Sequence, residues 1–334
     1  MSGSEKLPPG LFILEGISCL VFNKDFTQAA LSKKDNFIYI YSVDDIMNYD
    51  KWKLLHKLDS HYQYISGLDW SAETNRLLTC SYDKTSFVWD LVDNKWDPSN
   101  VVFTTKLGYL CCKWNKRGDK FCEGTSAKQL LIGYYDKESN WWTGKNIKLH
   151  KSSVIACEID PKSLFVLSGS TDLTVGVSSC YIPEVDDQFL TEETKPLAQK
   201  FGEVLYIFKP KGWINSVAWL PSGESGFVAG QDSTISFINF YEQKEDIIRS
   251  RHTPVTHLIP IDDNSFYAVC YDRNILKYEK EGENWTITKT ITGEKGEDGK
   301  NNNLHQSQIS SVNIKGNDMI TTDLSGYIKY WKLE

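Results

Sequence analysis

Several things are missing from this 334-residue chain, and each absence removes a class of function. No apolar run approaches the roughly 18 residues that a membrane-spanning helix needs. The opening Met1-Ser2-Gly3-Ser4-Glu5-Lys6 lacks the apolar core of a secretory leader, and Ser2 rather than glycine follows Met1, which argues against myristoylation. Positive charge is not in excess: 37 Lys and Arg face 44 Asp and Glu, for a formal net charge of −7. Binding to phosphate backbones needs a basic footprint, so no nucleic-acid role is expected. No glycine-rich phosphate loop occurs. The eight cysteines include no Cys-x-x-Cys pair, and Cys19, Cys80, Cys111, Cys157 and Cys270 fall in apolar segments, where a free thiol acts as a small hydrophobe. A reduced, cytoplasmic protein without membrane insertion is expected, in which the sequon Asn284-Trp285-Thr286 is a chance match. Helix signals are nearly absent as well.

What is present is a faint repeat. Around Ile65-Ser66-Gly67-Leu68-Asp69-Trp70 an apolar strand ends in a large side chain. Leu77-Leu78-Thr79-Cys80-Ser81 follows, then the turn Tyr82-Asp83-Lys84-Thr85, then Phe87-Val88-Trp89-Asp90. The large anchor recurs at Phe22, Trp70, Trp114, Ile159, Trp219, Ile261 and Ile314. Period-two alternation bounded by Asp, Asn, Gly and Ser predicts strands throughout. Repeats near this length that close in Trp-Asp are the signature of WD-repeat blades. The expected fold is all-β, one seven-bladed propeller over residues 1–334, because one blade cannot bury both of its faces alone. Eleven tryptophans suit packing between blades. The apolar segment 11–15 is expected to supply the outer strand of the last blade, removing a free sheet edge. Little chain is expected outside the blades.

The repeat also carries polar residues. His61, Thr79 or Ser81, Asp83 and Trp89 form a complete set in blade two. His150 and Asp172 repeat its spacing, and His252 with Asp272 comes close. The turn acid is read at Asp35, Asp83, Asp172, Asp232 and Asp272, with Lys128 and Ser325 in the other two blades. Such groups are expected to link turn, strand and entry loop by hydrogen bonds, since a buried polar group without a partner costs about 1–3 kcal/mol. A Ser-His-Asp catalytic triad is the competing reading, but a nucleophile site occurs once and not in several blades. The six histidines are scattered and show no metal-ligand spacing. No metal, cofactor or enzymatic activity is therefore expected.

Two intervals exceed what a blade needs. Residues 179–212 hold an acidic stretch, in which Asp186-Asp187 and Glu192-Glu193 read as a solvated face. Residues 288–308, with Gly293, Gly296, Gly299 and Asn301-Asn302-Asn303, read as a flexible loop between blades six and seven. In Trp141-Trp142, neighbours on a strand face opposite ways, so one fills a gap between blades and the other is a candidate interface residue.

Some sequence words go beyond the generic repeat. Ile17-Ser18-Cys19 with Phe22-Asn23-Lys24-Asp25 and Thr27-Gln28 resembles the opening blade of subunit 1 of the actin-related protein 2/3 complex, the branched-actin nucleator. Gly67-Leu68-Asp69-Trp70, Asn140-Trp141-Trp142, Tyr181-Ile182 with Glu184-Val185, Phe201-Gly202-Glu203 and Gly212-Trp213 continue the resemblance over most of the chain. Trp213 joins Trp141 and Trp142 as an interface candidate. The resemblance implies a non-catalytic scaffold subunit beside small subunits 4 and 5 and the actin-related proteins, in contact with nucleation-promoting factors and the actin filament of the cytoskeleton. A WD-repeat adaptor of another complex is the alternative. That family carries a protruding amphipathic helix between blades six and seven. Residues 288–308, nearly without apolar side chains, cannot supply its stripe, so filament contact through such a helix is in doubt.

Overall fold

The computed structural model describes residues 11–12, 16–46, 51–248, 251–291 and 305–333. Seven four-stranded antiparallel sheets stand in a ring. Blade two shows the pattern, from inside to outside: Ile65–Trp70, Leu77–Ser81, Ser86–Val92 and Lys95–Asn100. Burial falls along the same path. Every residue of Leu77–Ser81 is buried, whereas only Trp96 is buried in the outer strand. Six blades are built from consecutive strands. Blade seven has three of its own, Ile309–Lys315, Asp318–Asp323 and Tyr327–Lys332, and takes its fourth from Leu11–Phe12. There Leu11 pairs with Ile328 and Phe12 with Tyr327, so the expected closure by the N-terminal segment is present.

The apolar core is divided into seven seams, each drawn from two neighbouring blades. One joins Ile38, Ile40 and Leu58 of blade one to Trp70, Leu77 and Trp89 of blade two. The closing seam joins Leu20, Phe22 and Leu31 to Ile320 and Ile328. A blade alone would expose both of its seam faces, which is why the repeat must be read as a ring. The inner strands are stitched together by side chains. Asp69 accepts the Trp114 amide at 2.7 Å, the Ser66 hydroxyl donates to the Tyr109 carbonyl at 2.8 Å, and the Asn313 amide donates to the Leu20 carbonyl at 2.9 Å. Six inner strands carry a register shift at the same point, as between Ile65 and Gly67.

Three expectations need correction. The anchor of blade six is not Ile261, which is 42% exposed. Pro260, opposite Phe266, takes the place that Trp70 has opposite Leu77. Residues 288–308 are not all loop, because Asn284–Ile291 is the outer strand of blade six. The remainder, 292–304, lies outside the described residues. The acidic interval lies within blade four, between its third strand Val175–Ser179 and its outer strand Val204–Phe208, and holds a short helix, Pro183–Asp186, followed by a 3-10 turn, Asp187–Phe189. Pro183 starts that helix, where its missing N–H costs nothing.

Candidate functional site

Alternating strand direction puts two sets of loops on one face of the ring: those entering the inner strands, and the turns between each blade's second and third strands. In blade two these elements meet at His61. Asp83 accepts the Thr85 amide at 2.8 Å through Oδ1 and the Tyr62 amide at 2.7 Å through Oδ2, and Oδ2 lies 3.2 Å from His61 Nδ1. On the other side of the ring, His61 Nε2 is 2.8 Å from Thr79 Oγ1, which also accepts the Trp89 indole N–H at 3.0 Å. These contacts assign the proton of His61 to Nδ1. Burial alone would raise the Asp83 carboxyl, but the His61 ring, Thr85 and the Tyr62 amide outweigh it and hold it well below the usual range. The turn is thereby tied to the entry loop.

Blade four repeats the arrangement: His150 sits 2.8 Å from Ser168 Oγ and 2.9 Å from Thr174 Oγ1, and Asp172 accepts the Lys151 amide at 2.5 Å. Ser178 stands where blade two has Trp89. A third copy, in blade seven, escaped the sequence reading. His305 Nε2 is 2.6 Å from Thr321 Oγ1, which also accepts the Trp331 indole N–H at 2.6 Å, and His305 Nδ1 is 3.1 Å from Asp323. Asp323 sits two positions earlier than Asp83 does in its own turn, at the end of its strand, yet it makes the same links. It accepts the Gln306 amide at 3.0 Å and the Ser325 amide at 2.9 Å. The missed signal was position: His61, His150 and His305 each lie four residues before their inner strands. Burial keeps both His150 and His305 below the usual imidazole value, against their Asp partners.

Other expected members of the set are not brought together. His252 lies only three residues before its inner strand, Val255–Asp262. Its Nδ1 is 2.7 Å from the Thr253 carbonyl, and its Nε2 is buried with no hydrogen-bond partner among the described residues. Asp272 is exposed and bonds to the Asn274 amide. Asp232 likewise caps only its own turn, through Thr234, and Asp35 bonds to the Phe37 amide and the Tyr39 hydroxyl. In blade three the position of the turn acid is Ala127. Lys128 is instead the positive-φ residue of that turn, at φ 67°, like Lys84 at 72° and Leu173 at 64°. There the place of Thr79 belongs to Glu123, which is buried, bonds to the Ser86 hydroxyl of blade two, and is pushed by burial up to about 8.

The His61 and His150 imidazoles are buried and engaged at both nitrogens, whereas His305 is hydrogen-bonded at Nε2 with Nδ1 facing Asp323. Among the described residues no group of three or more His, Cys, Asp or Glu is arranged to hold a metal.

The acidic interval is only partly a solvated face. Glu184, Asp187, Glu192 and Glu193 are exposed, but Asp186 is fully buried. Its carboxylate is 2.7 Å from Lys120 Nζ, 2.5 Å from an Arg117 terminal nitrogen, and accepts the Ile182 amide at 2.7 Å. Lys120, also fully buried, donates further to the carbonyls of Ser163 and Cys180 at 2.6 and 3.0 Å. The reason is reciprocal: a buried lysine in the second strand of blade three requires a counter-charge, and the insert before the outer strand of blade four supplies it.

Trp142 is 2% exposed and packs in the seam of blades two and three, 5.5 Å from Trp114 and 5.7 Å from Phe121. Trp141 is 45% exposed, with its indole N–H donated to the Asn100 carbonyl at 2.6 Å. Trp213 is 48% exposed on the entry-loop face. It shares that face with Tyr62, Tyr82, Leu107, Leu173 and Tyr271, all exposed, and with the exposed Lys84, Lys106, Lys151 and Lys211. The opposite face carries the exposed acids Glu73, Asp93, Glu138, Glu184, Glu193, Glu242 and Asp263.

Residues 52–90 match the family model described as WD domain, G-beta repeat, and this stretch includes His61, Thr79, Asp83 and Trp89. Over a much longer span, the Actin-related protein 2/3 complex subunit 1A of Arabidopsis thaliana is 32% identical across 306 residues, covering 89% of this chain and 79% of that protein. The chain belongs to the actin-related protein 2/3 complex subunit 1 family. Subunit 1B of the same plant is 32% identical over 84% of the chain and 74% of its own length. Subunit 1A-A of Xenopus laevis is 29% identical over 83% and 76%.

Proposed function

We propose that this chain is the non-catalytic propeller subunit of an actin-related protein 2/3 complex, supporting nucleation of branched actin filaments in the cytoplasm. The observation that carries this reading is the 32% identity with a subunit 1A across 89% of the chain. The ring suits such a task, because a rigid scaffold presents loops on both faces and the loops carry function. Its partners are the actin-related proteins and small subunits 4 and 5, with nucleation-promoting factors and the actin filament met by the assembled complex. Trp141 and Trp213 are the proposed contact residues, as large apolar side chains half exposed on loops and edges. An adaptor role in an unrelated complex has no comparable observation behind it. Without an apolar stripe between blades six and seven, the filament is met by other surfaces of the ring.

Affinity purification of the full chain from native lysate tests the reading. Both actin-related proteins and the small subunits are expected in equal stoichiometry with it. Recovery of the chain as a free monomer, or with an unrelated assembly, overturns it. Alanine at Trp213 or Trp141 should weaken that recovery without lowering the melting temperature of the isolated chain.

A further inference from the structure

The eight free thiols are unevenly placed. Cys80, Cys111, Cys112, Cys122 and Cys157 gather where blades two, three and four meet around the central channel, a cavity of about 540 Å³ walled by the inner strands. Within this group Cys111 and Cys157 stand apart. They lie on the inner strands of adjacent blades, Tyr109–Trp114 and Val154–Ile159, and their sulfurs are 3.6 Å from each other. Both line the channel. Cys111 is partly exposed, whereas Cys157 is 6% exposed.

Neighbouring residues make room for this contact. A Cβ at Gly124 would come within 2.8 Å of the Cys111 sulfur, so the glycine opposite leaves space for it. The Cys157 thiol hydrogen bonds to Cys111 and favours the Cys111 thiolate against burial, while the same contact, a further one with Cys122 and burial push Cys157 up. Cys111 is the more exposed residue of the pair, and a second sulfur is already in contact with its own. Cys180 and Cys270, by contrast, are each pushed up to about 12, chiefly by burial.

We propose that Cys111 and Cys157 form an oxidisable dithiol, which hydrogen peroxide entering the channel converts to a disulfide joining blades three and four. The Cys111 sulfur attacks one peroxide oxygen and breaks the O–O bond. The departing hydroxide takes a proton and leaves as water, and Cys111 becomes a sulfenic acid. The Cys157 sulfur then attacks Cys111 Sγ and displaces hydroxide, which takes the Cys157 proton and leaves as a second water. Two thiols are oxidised and one peroxide is reduced. To bond, the sulfurs must close from 3.6 Å to about 2.0 Å.

The test uses the folded full-length chain, treated with limiting peroxide, quenched, denatured, alkylated and mapped by mass spectrometry. Alkylatable thiols should fall by two of the eight, and one cross-linked peptide pair should contain Cys111 and Cys157. In Cys157→Ser, dimedone should label Cys111 with no cross-link formed, and in Cys111→Ser, Cys157 should stay reduced. Eight alkylatable thiols after treatment of the folded protein would overturn the proposal. So would a cross-link that forms only after unfolding, or equal oxidation of Cys157 in Cys111→Ser. The wild-type measurement decides the matter even if a variant folds poorly.

Discussion

Blades two and six read alike in sequence, with a histidine before the inner strand and an Asp in the following turn, yet they differ in what they build. In blade two, His61 bridges Asp83 and Thr79, and Trp89 completes the chain of bonds. In blade six the histidine arrives one residue late, and the place of Thr79 is taken by Ala268, which has no hydroxyl. His252 therefore turns to the Thr253 carbonyl, and Asp272 is left capping its own turn at the surface. A side chain's offset from its strand decides whether it is buried among partners, and residue type alone does not.

Substitutions can break or sharpen this contrast. The largest effect is expected from Asp83→Ala, about 1–3 kcal/mol of lost stability in thermal unfolding, because the His61 ring and the Tyr62 amide lose their acceptor together. Asp323→Ala should lose a similar amount through His305 and the Gln306 amide. A negligible effect there, with a large one at Ser325→Ala, would show that blade seven lacks the arrangement.

A pH series provides the next comparison. The Asp83 carboxyl is held low in the fold, so its contribution is present above the unfolded value near 3.9 and is lost as pH falls through the folded one. Glu123, raised by burial to about 8, has the opposite sign. Its contribution is complete below roughly 4.3 and is lost as pH rises through 8. Glu123→Gln should leave the melting temperature near pH 5 little changed and raise it above pH 8; parallel profiles for the two proteins would refute this. The smallest effect belongs to Asp272→Ala, within about 0.5 kcal/mol, as for other exposed positions. A loss matching that of Asp83→Ala would erase the contrast between the blades.

The ring, its seven units and its closing strand were legible because an apolar period and Trp-Asp endings survive in the sequence. The set at His61 was legible for the same reason. That at His305 was not, because the spacing from His305 to Thr321 is two residues shorter than from His61 to Thr79, and its acid occupies a different turn position. A search keyed to a fixed His–Asp distance passes over it. Asp186 was misread for another reason. Its partners, Lys120 and Arg117, are over 60 residues away, and nothing local distinguishes a carboxylate facing a buried ammonium from one facing water.

The two-residue strand Leu11–Phe12 sets the order in which the molecule can be completed during synthesis. Among the described residues these are the first to leave the ribosome, and their partners Tyr327 and Ile328 are nearly the last. Until then the faces of blades one and seven that form the closing seam have no neighbour, and Leu20, Phe22 and Leu31 remain uncovered while the other blades fold in turn. Leu11–Phe12 must therefore stay out of other sheets until the strands of blade seven have been made, and the ring closes only then.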